Sequence, residues 1–327
     1  EALTDNSTGS SNVAIGYDAL ANNTTAANNV AVGWQALQDN TTGHSNVAIG
    51  KDAALNQTTA HYTTAIGDRS IGSGVVTGEH NTALGHYSLY AVTSGSQNTG
   101  LGSNALAANT TGQYNTGVGY NALGANTTAS GNTAIGWGTL DTNTTGAGNT
   151  AVGQEALTAN TEGLVNTAVG KDCLAANTTG DQNTAIGKDA FQYNTTADNN
   201  TGVGYMAGRK NTVGYELTAV GYQALTENTD GDTSTAVGSA ALASNTTGNG
   251  STAVGREALK YNTTADYNTA VGEQALKQNT TGDKNVAVGY LAGGAVTTGF
   301  SCTYMGWKNA YQATTGGYNT GVGDRAF

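Results

Sequence analysis

Acid–base, nucleophilic or metal chemistry in this 327-residue chain would have to come from four His, two Cys and 23 Asp and Glu. His44, His61, His80 and His86 stand at different variable positions in scattered parts of the sequence, and none has a Ser/Asp or Cys partner spaced to build a proton relay. The carboxylates are scattered as well, whereas a polysaccharide-cleaving β-helix needs a pair flanking the bond it breaks. Asp230-Gly231-Asp232 is a single local cluster and reads as a turn. Gly202-Val203-Gly204 imitates a nucleotide loop, but no helix is expected after it. Calcium-binding β-rolls need an Asp column in a Gly-rich nonapeptide, which is missing. The reading is therefore a non-enzyme with no catalytic, cofactor-binding or metal-ligating residue.

Partners are narrowed by charge and hydropathy. Twelve basic against 23 acidic residues give a net charge of −11, which argues against a phosphate-binding surface and so against nucleic acid. No apolar run approaches the roughly 18 residues of a membrane span, so no membrane insertion is expected. Glu1 to Asn6 show neither the basic start nor the apolar stretch of a signal peptide.

Only one kind of scaffold fits the composition. There are 48 Gly, no Pro and 11% charged residues, where about 5% Pro and about 25% charge are usual. Gly16, Gly33, Gly50 and Gly67 recur in steps of 17, Gly85 follows after a step of 18, and the step of 17 then holds from Gly102 to Gly323. The consensus is N-T-A-V-G-Y-x-A-L-x-x-N-T-T-G-x-x, and its positions are numbered here as columns 1 to 17. This predicts an all-β fold, a parallel β-solenoid of nineteen 17-residue coils that runs through residues 1–327 as one continuous repeat array. At about 4.8 Å per coil the stack would extend roughly 90 Å.

The columns suggest what each position does. Val or Thr, Ala or Gly, and an aliphatic residue alternate over columns 2 to 4, as in a strand of period two. On size, the aliphatic column 4 (Ile15, Val32, Ile49) is expected inside, with the Ala/Gly face of column 3 meeting another chain. Column 9, usually Leu and Phe at Phe191 and Phe327, would form a second apolar wall on a second short strand. Asn-Thr-Thr-Gly supplies turn chemistry. Column 1 is Asn in 14 of 19 coils, which suggests stacked amides bonded along the axis. Pro is excluded because the stack needs nearly every N–H. Two large apolar side chains per coil are a thin core, so a homo-oligomer is expected, a trimer or an end-to-end stack. The chain starts and stops inside a coil without an atypical cap, which suggests a segment of a longer fibre protein or a filament subunit.

Column 6 holds the best candidates for surface contact. Tyr17 and Trp34, Tyr120 and Trp137, Tyr205 and Tyr222, and Tyr290 and Trp307 fall on adjacent coils, and the pair starts step by 103, 85 and 85 along the chain. Stacked exposed rings could grip sugars, or could support the corner and a neighbouring chain. The N-x-T sequons at Asn23, Asn40, Asn109, Asn126, Asn143, Asn177, Asn194, Asn245, Asn262 and Asn279 all fall in the Asn-Thr-Thr turn and read as turn chemistry. Cys173 (column 8) and Cys302 (column 1) are eight coils apart, about 38 Å, far beyond the roughly 7 Å between Cα atoms that a disulfide tolerates.

The motif Asn12-Val13-Ala14-Ile15-Gly16 and its eighteen later copies resemble the head repeats of trimeric autotransporter adhesins of the YadA-like type. The longer form N-T-A-V-G-x-x-A-L-x-x-N-T-T-G is similar to arrays in bacteriophage tail fibres that precede a self-cleaving chaperone. The resemblance implies a left-handed β-roll, a homotrimer, an extracellular position on a virion or bacterial surface, and adhesion to host or cell-surface polysaccharide. Heptad stalk, membrane anchor and chaperone domain are absent from this stretch. The expected function is a structural and adhesive fibre shaft. The alternative is an ice-binding solenoid whose Thr rows in columns 13 and 14 (Thr24/Thr25, Thr41/Thr42, Thr110/Thr111) line up, with breaks near Val92 and Val296.

Overall fold

Each coil contributes a three-residue strand that pairs in parallel with the equivalent strand of the next coil. The computed structural model describes residues 1–326, in two compact units, Glu1–Val165 and Asn166–Phe327. The first carries β1 (Val13–Ile15) to β9 (Thr150–Val152), the second β10 (Thr167–Val169) to β19 (Thr320–Val322). Each unit is a parallel β-solenoid with one sequence repeat to the turn. Partners lie 17 apart, as in Thr133↔Thr150 and Thr235↔Thr252, except at Thr64↔Thr82, where the inserted residue makes 18. The insertion is taken up by Gly72–Val76, and the stack resumes at a bridge between Gln57 and Val76. No helix occurs among the described residues.

The strand's two faces are the reverse of the size-based expectation. Column 3 is the inner face: Ala31, Ala48, Ala134, Ala219 and Ala253 have no exposed surface. Column 4 points outward, with Ile15 at 60%, Leu84 at 45% and Ile186 at 41% exposure. The cause is the narrow bore of the coil. Column 9 Leu (Leu37, Leu123, Leu157, Leu242) already fills it from the far side, and only Ala or Gly fits opposite. The Ala/Gly face is thus the interior of its own coil and cannot be what a second chain packs against.

Nor does any coil carry a second strand among the described residues. Columns 7, 9 and 17 are held in the left-handed region, as at Asp18 (φ 52°), Leu20 (φ 51°) and Asn28 (φ 62°), so column 9 sits on a tight turn rather than an extended segment. Turning there still aims Leu inward, and the expected apolar wall is present. The column 5 glycine has a stronger constraint. Gly85 has φ 138°, and a Cβ there would lie 2.5 Å from the carbonyl oxygen of Gly102 in the next coil.

Buried amides replace much of the missing apolar core. Column 12 makes the direct amide ladder: Asn126 Nδ2 donates to Asn109 Oδ1 at 2.9 Å, and Asn143 Nδ2 to Asn126 Oδ1 at 2.9 Å. Each also donates to its own turn, as Asn126 does to the Ala129 carbonyl at 3.1 Å. Column 1 works mainly through the backbone. Asn115 Oδ1 accepts from the Asn132 N–H at 3.0 Å, while Asn132 Nδ2 donates to the Gly146 carbonyl at column 15 of its own coil at 2.9 Å. These side chains are fully buried yet bonded, which is the condition for a polar interior to be tolerated.

Two coils exchange volume between columns. Phe191 replaces Leu, and its ring occupies the space above Gly202 and Gly208, where a Cβ would come within 2.7 Å of Phe191 Cδ2 at Gly202. Tyr304 replaces Ala in column 3 and is buried, with Gly293 vacating the Leu position beside it. The irregular runs Tyr205-Met206-Ala207-Gly208 and Tyr290-Leu291-Ala292-Gly293 are therefore sites of core exchange.

Candidate functional site

Column 6 follows directly after the Gly turn, so its side chains leave the coil at a corner and meet their neighbours above and below and the column 7 side chain beside them. All four aromatic pairs are stacked. Tyr17–Trp34 has ring centroids 4.4 Å apart, Tyr205–Tyr222 5.5 Å, Tyr290–Trp307 6.3 Å and Tyr120–Trp137 6.4 Å, with interplanar angles between 13° and 22°. Tyr17–Trp34 lies close to the coil spacing of about 4.8 Å, and the other three pairs exceed it by a lateral offset, which the ring quadrupoles favour. The rings stay about half exposed, as at Trp34 (49%) and Trp137 (52%). They form four separate two-ring ledges.

Cations lie against several rings. Lys188 Nζ is 5.9 Å from the Tyr205 centroid, and Lys308 Nζ and Arg325 Cζ are each 4.6 Å from Trp307. Further aromatics lie beside cations outside column 6. Tyr193 and Tyr261 occupy column 11, with Arg209 5.5 Å from the first and Lys260 5.4 Å from the second. Tyr at column 11 beside Lys or Arg at column 10 was visible in the repeat, but the ring–cation contacts, one of them between adjacent coils, appear only in the structure.

The histidines are less scattered than the sequence reading held. His44 and His61 share column 16 in adjacent coils and stack at 3.9 Å, with His61 Nδ1 accepting the His44 backbone N–H at 3.0 Å. Tyr62 and His80 stack beside them at 4.9 Å, and His86 lies near Asp68 on another corner. His44 Nδ1 also lies 3.3 Å from Ser45 Oγ, and His61 Nε2 lies 3.9 Å from Glu79 Oε1. Among the described residues no group of three or more His, Cys, Asp or Glu is placed to hold a metal ion, and no helix is long and apolar enough to cross a membrane.

The remaining candidates are structural. The sequon asparagines are fully buried members of the column 12 ladder, so the folded coil presents no amide nitrogen to a glycan. Both cysteines are free and buried. Burial pushes the Cys173 thiol up to about 12, and it donates to the Ala185 carbonyl at 3.1 Å. Column 13 hydroxyls are committed as well: Thr24 Oγ1 donates to the Thr41 carbonyl, Thr110 to Thr127 and Thr246 to Thr263. The Glu257 carboxylate is held down at about 2, chiefly by Lys260 and then by Lys277, both with Nζ at 2.8 Å.

Compared with known proteins, the chain matches no family model and no curated protein sequence.

Proposed function

We propose that the chain is a non-enzymatic fibre shaft, homo-oligomeric and extracellular, which carries or mediates attachment to a surface through its corner aromatics. The observation that carries this reading is the outward strand face. Columns 2 to 5 hold no charged residue in any coil, and column 4 leaves a row of aliphatic side chains facing water: Ile135, Val152 and their neighbours in the first unit, Val237, Val254 and Val271 in the second. Continuous apolar rows of this kind are what chains bury against one another. A second copy offers the same row at the same pitch, and three copies around one axis would match the trimer that the adhesin and tail-fibre resemblance implies. Left-handed winding and the virion or bacterial-surface setting rest on that resemblance alone.

The contact surface of such a shaft would be the column 6 corner, where half-exposed stacked rings suit the flat faces of sugars. The ice-binding alternative has less support, because the column 13 hydroxyls it relies on already donate to carbonyls. Light scattering at micromolar concentration tests the shaft reading. A mass of three chains supports it, and a stable single chain refutes it. A thermal-hysteresis assay tests the alternative.

A further inference from the structure

Charge is sorted between corners in the second unit. Columns 6 to 11 carry nine Lys and Arg against six Asp and Glu, whereas columns 12 to 17 carry one Lys against seven Asp and Glu. The acidic side has a task within the stack. Asp198 Oδ1 accepts the Asp181 N–H at 2.7 Å, Asp266 Oδ1 the Asn249 N–H at 2.7 Å, and Asp283 Oδ1 the Asp266 N–H at 2.9 Å, so these carboxylates seal coil-to-coil amides. The basic side is not explained in this way. Arg209 lies over the Tyr193 ring and bonds Gln192 Oε1 through Nε at 2.9 Å, and its guanidinium makes no ion pair with a carboxylate of the described residues. Lys188 lies over Tyr205, which stacks on Tyr222, and meets Asp189 only at 3.8 Å. Lys210 is exposed two positions beyond the Gly208 turn and shares its charge with Glu227 at 2.6 Å.

Three successive coils thus place Lys188, Tyr193, Tyr205, Arg209, Lys210 and Tyr222 within columns 6 to 11 of a chain whose net charge is −11. Building on the glycan-contact reading above, we infer that this stretch of columns 6 to 11 binds an anionic polysaccharide, one whose carboxylates meet the cations beside the exposed edges of the tyrosines. A neutral glycan would leave the Arg209 charge, which no carboxylate of the described residues pairs, unused.

Affinity electrophoresis of the whole chain in gels containing polygalacturonate, dextran or no polymer tests this. Retardation by polygalacturonate that weakens with salt is expected. Replacing Lys188 and Arg209 together by Ala should weaken that retardation about tenfold, while Lys284→Ala on the acidic side leaves it unchanged. Both variants change side chains outside the buried core, and an unaltered circular dichroism spectrum verifies the fold. Equal retardation by dextran and polygalacturonate, or a double variant that binds as well as the wild type, overturns the anionic inference and leaves the glycan reading standing. Retardation by neither polymer overturns both.

Discussion

Replacing Asn126 by Asp changes one atom and should be among the most damaging single substitutions in the chain. Asn126 donates to Asn109 Oδ1 and to the Ala129 carbonyl, and accepts from Asn143, with all three asparagine side chains fully buried. A carboxylate keeps the acceptor for Asn143 but faces two further acceptors with no proton to give. A buried charge deprived of its partner costs about 3–5 kcal/mol. The natural chain shows the milder way to interrupt the ladder, because Val92 and Val296 occupy column 12 and are buried. Asn126→Val loses three bonds at about 0.5–1.5 kcal/mol each, partly offset by apolar burial, so about 1–3 kcal/mol net is expected. The Asp variant also has a pH signature. Its pKa in the fold is raised, so its penalty is absent below the unfolded value of about 3.9 and grows as pH climbs toward the folded value. Stack unfolding need not be two-state, so the readout is amide exchange at Asn126, whose N–H donates to the Leu123 carbonyl, alongside urea melts at pH 3.5 and pH 7. If the Asp variant at pH 7 exchanged no faster than the Val variant, the ladder would not be the polar core described here.

Three other perturbations probe separate parts of the structure. Gly208→Leu should overpack against Phe191 by about 1–3 kcal/mol, and Phe191→Leu in the same chain should restore most of that loss in a double-mutant cycle. Cys173, with its thiol pushed up to about 12, should resist a disulfide-exchange reagent at pH 8 in the folded chain and react in urea. For Glu257, the folded pKa of about 2 lies below the ordinary 4.5, so its contribution is present above about pH 4.5 and is lost as pH falls toward 2. Glu257→Gln should therefore shrink the difference between urea midpoints at pH 7 and pH 3.

How much of this was readable beforehand depends on what periodicity can encode. The regular glycine step implied the parallel stack, the coil number and the in-register strands. A residue held in that backbone conformation, as Gly67 is at φ 130°, cannot drift along the repeat. Period-two alternation placed columns 3 and 4 on opposite faces but carried no sign. Size was used to choose the inside, and the bore of the coil overruled it. The exchange of Phe191 against Gly202 and Gly208 was already in the sequence and would have identified columns 3 and 9 as one cavity. The second strand failed for a local reason: Asp, Asn and Gln at column 7, as at Asp18, Gln35 and Asn104, are held in a left-handed turn, which Asp and Asn in particular tolerate. Of the candidate site, the four stacked pairs were legible from adjacent coils, whereas the column 11 tyrosines and their cations needed the side-chain contacts of the structure.

The central claim is that the uncharged outward face of columns 2 and 4 is buried between copies of this chain. Sedimentation equilibrium of the wild type beside an Ile135→Lys, Val237→Lys variant tests it most directly, since the two positions are outward and 40% and 36% exposed in the single chain. The account predicts a mass of three chains for the wild type and of one chain for a variant with an unchanged strand spectrum. A variant that retained the wild-type mass, or a wild type that sedimented as a single chain, would contradict it.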